Sequence, residues 1–96
     1  LWMNYKLRFH ELALKEWNKL DGVVQLQFKK KLEERLINPR VASSQLRKMK
    51  DCYKIKLRTA SYRLIYRVED KVLFVSVIAV GKRAKNKAYR LAEQRQ

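Results

Sequence analysis

Apolar and polar residues alternate at the start of the chain, Met3, Tyr5, Leu7 and Phe9 against Asn4, Lys6 and Arg8. That two-residue period predicts a half-buried strand. From about Glu11 the period lengthens, and Leu14 and Trp17, with Ala13 and Leu20, make an apolar helical stripe that stops near Asp21-Gly22. Val24, Phe28, Leu32 and Leu36 then recur every four residues, with Lys29, Lys30 and Lys31 mostly off that line. This second helix ends at Asn38-Pro39, since proline cannot continue it. The short connection makes the pair an antiparallel helical hairpin. Val41 to Lys50 reads as a basic polar connector. Tyr53, Ile55 and Leu57 alternate with Lys54, Lys56 and Arg58. After Thr59-Ala60-Ser61, Tyr62, Leu64, Tyr66 and Val68 alternate with Arg63, Ile65 and Arg67, which gives two strands. Glu69-Asp70 marks a turn, and Lys71 to Val80 is so continuously apolar and β-branched that it predicts a central strand covered on both faces. Gly81 is expected to end it, and Asn86 to Gln96 to form a short terminal helix. The expected fold is α+β, in the order strand, two helices, three-stranded antiparallel meander, C-terminal helix, with the helices against a curled, largely antiparallel sheet. At 96 residues the chain, 1–96, is expected to be a single domain.

The middle hairpin allows a finer statement. If Tyr53, Ile55 and Leu57 share a core with Tyr62, Leu64 and Tyr66, opposed residues must point the same way. Leu57 then pairs with Tyr62 and Ile55 with Leu64. The same register sets Lys56 against Arg63 and Lys54 against Ile65 on the other face. A one-residue slip would bury the cations, so this register is strongly specified. Lys54, Lys56 and Arg63 therefore form one patch. Like charges in cross-strand contact destabilise a sheet, and an anion seated there would relieve them.

Composition sharpens that picture. Hydrophobic residues make up 47% of the chain, enough for a core, while 24 Lys and Arg against 9 Asp and Glu give a net charge of +15. Such an excess calls for a polyanionic partner, and charge alone fits nucleic acid, a membrane surface or an acidic protein. The longest apolar run, Val72 to Val80, is strand-sized and contains Ser76, far short of the ~20 residues of a membrane span. The N-terminus lacks the apolar block of a signal peptide. Met3 reads as the natural start, with Leu1-Trp2 added before it. Cys52 is the only cysteine, so a reducing, cytoplasmic compartment is expected. Nothing resembles a metal-ligand set, and no metal or other cofactor is expected. Gly81-Lys82-Arg83 contains no phosphate-binding loop of the Walker type.

The patch has two readings, a solvated face of a very basic protein or a site for phosphate binding and phosphodiester chemistry. Cleavage of RNA by its own 2′-hydroxyl needs a base for that hydroxyl, cations for the charge on the phosphorane and an acid for the leaving 5′-oxygen. The only histidine, His10, sits where the first helix should start and reads as a helix-start residue. Any catalytic apparatus must therefore run on Lys, Arg and Tyr. A free lysine is neutral only about once in a few thousand at pH 7, and neighbouring cations raise that fraction. Such a site would depend heavily on RNA already held in attack geometry. Cys52 shares the strand parity of Lys54 and Lys56, so nearby cations could activate its thiol, but it has no histidine mate nearby. The residues themselves support a basic α+β domain that binds RNA or phosphate, and leave open whether it cleaves.

Read together, several segments resemble the RelE family, the toxins of bacterial toxin–antitoxin pairs. They are Ala13-Leu14-Lys15-Glu16-Trp17-Asn18-Lys19-Leu20, the Lys29-Lys30-Lys31-Leu32 helix, Asn38-Pro39-Arg40, Lys48 to Arg58, Tyr62-Arg63-Leu64-Ile65-Tyr66 and Val80-Gly81-Lys82-Arg83. They run in order along nearly the whole chain. The resemblance implies a microbial-RNase fold and cleavage of mRNA in the A site of the 70S ribosome, without metal, leaving a 2′,3′-cyclic phosphate and so inhibiting translation. It places Lys54 and Lys56 on the basic pair that activates or stabilises the 2′-oxygen, and Arg63 on the arginine that holds the phosphate. It puts Arg83 on the group that stabilises or protonates the leaving oxygen, and Tyr89 on the aromatic that stacks against the substrate nucleotide. Arg47 matches a further basic residue near the cleft. Lys29, Lys30, Lys31, Lys48, Lys85, Lys87 and Arg90 are candidate ribosomal RNA contacts that position without reading sequence. Lys48 and Lys50 stand where a close RelE has glycine and proline, so the loop shape there is open.

Each assignment has a plainer competitor. Arg83 could be a solvated turn residue, Tyr89 could pack the last helix, and the lysines could be surface charge. The resemblance also implies a partner, an acidic, partly disordered RelB-type antitoxin that folds on the basic surface. Two rival functions remain. A ParE-type toxin shares the fold but poisons DNA gyrase, and a non-catalytic RNA- or ribosome-binding module would bind in a salt-dependent way and leave RNA intact.

Overall fold

A computed structural model describes residues 4–96, so the part of the first strand expected at Met3, and the reading of Leu1-Trp2, lie outside the described residues. The chain runs β1 (Lys6–Phe9), α1 (Glu11–Asn18), α2 (Gly22–Ile37), β2 (Cys52–Lys56), β3 (Tyr62–Glu69), β4 (Phe74–Lys82) and α3 (Lys87–Gln94), with short 3-10 turns at Ala42–Ser44 and Ala84–Asn86. The four strands form one sheet in the order β1-β4-β3-β2. β2, β3 and β4 are the expected antiparallel meander, and β1 pairs with β4 in parallel. The α+β expectation holds. None of the helices is long and apolar enough to cross a membrane.

The hairpin register is the one expected, Ile55 opposite Leu64, Lys56 opposite Arg63 and Lys54 opposite Ile65. β2 itself ends at Lys56, and the Leu57 N–H still donates to the Tyr62 carbonyl at 3.4 Å. One face of the sheet carries Tyr53, Ile55, Leu64, Tyr66, Val75, Val77 and Val80 into a core with Ala13 and Trp17 of α1 and Val24, Phe28 and Leu32 of α2. Trp17 sits between Phe9 and Phe28, ring centroids 5.4 and 6.1 Å away. His10 caps α1 as expected, its Nδ1 accepting from the Leu12 N–H at 3.1 Å, and Asp21 caps α2 through the Val23 N–H.

Three expectations need correcting. Leu14 is 44% exposed. The core stripe of α1 is Ala13 and Trp17, the i, i+4 line of a 3.6-residue helix, with the partly buried Leu20 packing beyond the helix end, and Leu14 falls one step round from it. β4 begins at Phe74, because Lys71 to Leu73 close the turn, with Leu73 at φ 55°. Nor does Gly81 end this strand. It lies inside β4, paired with Arg63 and buried, and a Cβ there would come within 3.3 Å of the Ala88 backbone nitrogen. Its bare Cα lets α3 cross the strand closely. The last helix consequently starts at Lys87.

β1 is stapled to the sheet by Arg8, which donates to both carboxylate oxygens of Glu69, at 2.9 and 2.8 Å, and to the Ser76 hydroxyl at 2.9 Å. Ser76 in turn donates to Glu69, and that bond first, then Arg8, holds the Glu69 carboxyl below the usual carboxylate range. A depressed folded pKa contributes stability above the unfolded value, about 4.3 for Glu, and that stability is lost as pH falls through the folded value. Urea midpoints measured from pH 6 down to 2 should therefore fall in the acid limb. They should fall less steeply for Glu69→Gln; equal slopes would rule out this staple as an acid-labile element.

Candidate active-site cleft

On the opposite face of the sheet, strand parity lines up Cys52, Lys54 and Lys56 on β2 with Arg67, Ile65 and Arg63 on β3. The apolar part of this face is roofed by α3. Its Ala88 and Ala92, 1% and 0% exposed, pack on Cys52, Ile65, Ile78 and Ala79. A bulge between Ile65 and Tyr66 makes this possible, since Ile65 pairs with Ala79 and Tyr66 with Val77, leaving Ile78 as an extra residue that also enters the α3 cluster. Small side chains on α3 and the bare Gly81 bring the helix down onto the sheet. Lys54, Lys56 and Arg63 are left uncovered to different degrees beside it.

The connector before β2 forms the other wall. Leu46 N–H donates to the Cys52 carbonyl at 2.9 Å, Cys52 N–H to the Met49 carbonyl at 3.2 Å, and Asp51 takes a left-handed φ of 60°. Met49 is buried against α3's cluster, so Arg47 and Lys48 are held outward. Between this loop and α3 lies a cleft of about 460 Å³, lined among others by Arg47, Lys48, Arg63, Lys85, Tyr89 and Arg90. A second concavity of about 270 Å³ is lined by Lys56, Arg58, Arg63 and Arg83. Arg63 borders both, and its guanidinium donates to the Tyr89 hydroxyl at 3.2 Å and sits 5.4 Å from that ring's centre.

The turn into α3 presents the remaining cations. The Arg83 N–H donates to the Ser61 carbonyl at 2.7 Å, which ties this turn to the β2–β3 loop. Lys85 and Asn86 both take left-handed backbone, φ 58° and 53°, a conformation that costs a non-glycine residue roughly 1 kcal/mol. Arg83 and Lys85 are exposed.

The structure thus brings Lys56, Arg63, Arg83, Tyr89, Arg47, Lys48, Lys85 and Arg90 to the rims of two adjoining concavities. Lys54 shares their face but borders neither, and its backbone carbonyl accepts from Arg35 at 3.3 Å. Lys87 is exposed at the start of α3, beside Gly81. Lys29, Lys30 and Lys31 are exposed on α2, on the far side of the sheet from the cleft. Cys52 is fully buried, and burial pushes its thiol pKa up more than Arg67 and Gln96 lower it. That removes the activated-thiol reading. Among the described residues, no group of three His, Cys, Asp or Glu side chains is placed to hold a metal ion.

Three features were missed from sequence. Arg58 joins Arg83 and Lys56, and the alternation Lys54, Lys56, Arg58 could have shown it. Arg35 reaches under β2 to donate to Tyr66 Oη at 2.8 Å, while that hydroxyl donates to the Pro39 carbonyl at 2.6 Å. Burial raises the Tyr66 pKa, against the opposing pull of Arg35. Arg40 bridges Asp51 at 3.1 Å and Asp70 at 2.6 Å, which fixes the residue before β2 to the β3–β4 turn. No local pattern announces these long-range bonds.

Comparison with known proteins gives consistent matches. A family model described as the ParE toxin of type II toxin–antitoxin systems matches residues 7–87. The mRNA interferase toxin RelE of Escherichia coli (strain K12) is 53% identical over 93 residues, covering 97% of this chain and 98% of that protein. A solved free-state E. coli RelE with two arginines replaced by alanine is 52% identical and superposes with a TM-score of 0.90, covering 97% of this chain and 98% of that one. The toxin in the intact E. coli RelBE toxin–antitoxin complex is 56% identical with a TM-score of 0.80, covering 81% of this chain and 95% of that one.

Proposed function

This chain belongs to the RelE family of toxins, within the wider ParE-type family of type II toxin–antitoxin systems, and from that premise we propose that it is a ribosome-dependent mRNA endoribonuclease. The observation that carries the reading is the position of Arg63, on the shared rim of the two concavities and in contact with Tyr89. A nucleotide stacked on Tyr89 has its 3′ phosphate at Arg63, with Lys56 on one side and Arg83 on the other.

In the reaction, the lysine pair, Lys56 at the rim and Lys54 two residues before it on β2, takes up the 2′-hydroxyl proton or neutralises the oxyanion that its departure leaves, and the 2′-oxygen attacks the adjacent phosphorus. Arg63 faces the charge that builds on the phosphorane. The P–O5′ bond breaks beside Arg83, and the 5′-oxygen takes up a proton there. The products are a 2′,3′-cyclic phosphate and a 5′-hydroxyl. Because a free lysine is almost wholly protonated at neutral pH, most of the rate must come from positioning by the ribosome, an effect that reaches about 7–11 kcal/mol in well-oriented systems. Arg47, Lys48, Lys85, Lys87 and Arg90 supply the phosphate contacts that seat the toxin.

The toxin acts as one domain in the bacterial cytoplasm and is silenced by a RelB-type antitoxin, whose acidic chain complements the charge of +15. The E. coli RelBE complex matched above supports that partnership. The ParE description of the matching family model would suggest gyrase poisoning instead, but that activity has no use for a Lys-x-Lys, Arg, Arg, Tyr constellation. The end chemistry tests the proposal. The downstream fragment from ribosome-bound mRNA should accept a labelled phosphate from a polynucleotide kinase without prior phosphatase treatment. Fragments that already carry a 5′-phosphate would refute 2′-oxygen attack.

A further inference from the structure

Glu93 is the one carboxylate among the side chains that line the 460 Å³ cleft. Arg47, Lys48 and Arg90 line the same space, yet among the described residues the Glu93 carboxylate takes part in no ion pair. It is exposed and lines the cleft. It also stands four residues after Tyr89 on α3, so the two side chains are neighbours on one helix face. A planar base resting on the Tyr89 ring therefore has its edge within reach of Glu93.

A carboxylate can only accept hydrogen bonds. Guanine, adenine and cytosine all offer an exocyclic amine to such an acceptor, whereas uracil offers one N–H flanked by two carbonyl oxygens that the carboxylate repels. A phosphate is repelled more strongly still. We propose that Glu93 is a specificity-determining residue that reserves this end of the cleft for a base and favours amine-bearing bases over uracil at the nucleotide stacked on Tyr89. The inference rests on the RNA-cleaving reading above and names the substrate preference of that same site.

Binding by the free protein separates the two claims. The probes are heptauridylate and its three variants with a single central A, C or G, followed by fluorescence anisotropy with the wild type and Glu93→Gln. The wild type should bind the substituted probes about three- to tenfold more tightly than heptauridylate, the scale of an exposed amine–carboxylate contact. Glu93→Gln, whose amide also donates, should bring that ratio below about twofold and bind heptauridylate at least as tightly as the wild type. On ribosomes the variant should gain cuts at uracil-containing positions. Equal affinity of the wild type for all four probes, or unchanged discrimination in Glu93→Gln, would overturn the inference. Selective binding without any cleavage would uphold it while refuting the RNase reading, and cleavage without selectivity would do the reverse.

Discussion

Arg63→Ala should slow single-turnover cleavage of ribosome-bound mRNA by about 10²–10³-fold, the usual cost of losing one preorganised donor to a developing oxyanion. The reason is the double role of this side chain. It borders both concavities, and it fixes the Tyr89 ring through a hydrogen bond and a cation–π contact. Arg63→Lys keeps the charge but loses the planar fork that can hold a phosphate oxygen and the Tyr89 hydroxyl at once, so it should recover only part of the rate. Tyr89→Phe removes the hydroxyl and leaves the stacking surface, so its loss should be smaller than that of Arg63→Ala. Ribosome affinity should fall far less than the rate, because the many other cations supply most of the phosphate contacts. A rate within fivefold of wild type for Arg63→Ala would remove this residue from the chemistry.

Arg95→Ala should be the most destabilising of the polar substitutions. Arg95 donates to both oxygens of Glu16, at 2.9 and 2.7 Å, and to the Ile78 carbonyl at 2.9 Å, while Glu16 also accepts from the Val80 N–H at 3.0 Å. The side chains are only 9% and 22% exposed. Removing one partner of a buried pair strands the other charge and costs about 3–5 kcal/mol; the residual access of Glu16 to water lowers the expected cost to roughly 2–3. At about 4–8 °C per kcal/mol for a domain of this size, Tm should drop by roughly 10 °C or more. The pair pins the end of α3, which also carries Tyr89 and Glu93. Amide exchange in α3 should therefore speed up more than in the β3–β4 core. Arg95→Lys should restore part of the loss, and a Tm change under about 2 °C would show that packing of Ala88 and Ala92 alone holds the helix.

How far these features were legible in the sequence follows from the range of the forces involved. The β2–β3 register could be read because a slip by one residue would bury Lys54, Lys56 and Arg63, so charge and period-two alternation point to one answer. α2 was clear from Val24, Phe28 and Leu32. α1 was blurred because Leu14 satisfies the composition of a core stripe while lying off its line. Gly81 was misread as a strand end because close approach of α3 depends on tertiary packing, and so does the bulge that turns Ile78 and Ala79 to the same side. Of the cations on the two rims, strand parity marks Lys56 and Arg63, while Arg47, Lys48, Arg83, Lys85 and Arg90 come from the family resemblance alone. Their distribution over two concavities, with Arg63 on the shared rim, depends on where the Leu46–Asp51 loop closes and on the left-handed turn at Lys85-Asn86. Neither leaves a local pattern.

Cleavage of one defined mRNA with and without 70S ribosomes, by the wild type and by Arg83→Ala, with 5′ ends mapped by primer extension, decides whether the toxin is a ribosome-dependent RNase. Codon-positioned cuts that require ribosomes are expected, falling by at least about 10²-fold in Arg83→Ala, while binding of that variant to ribosomes persists. Intact mRNA at high protein concentration, under conditions where the wild type binds ribosomes, would contradict the RNase reading.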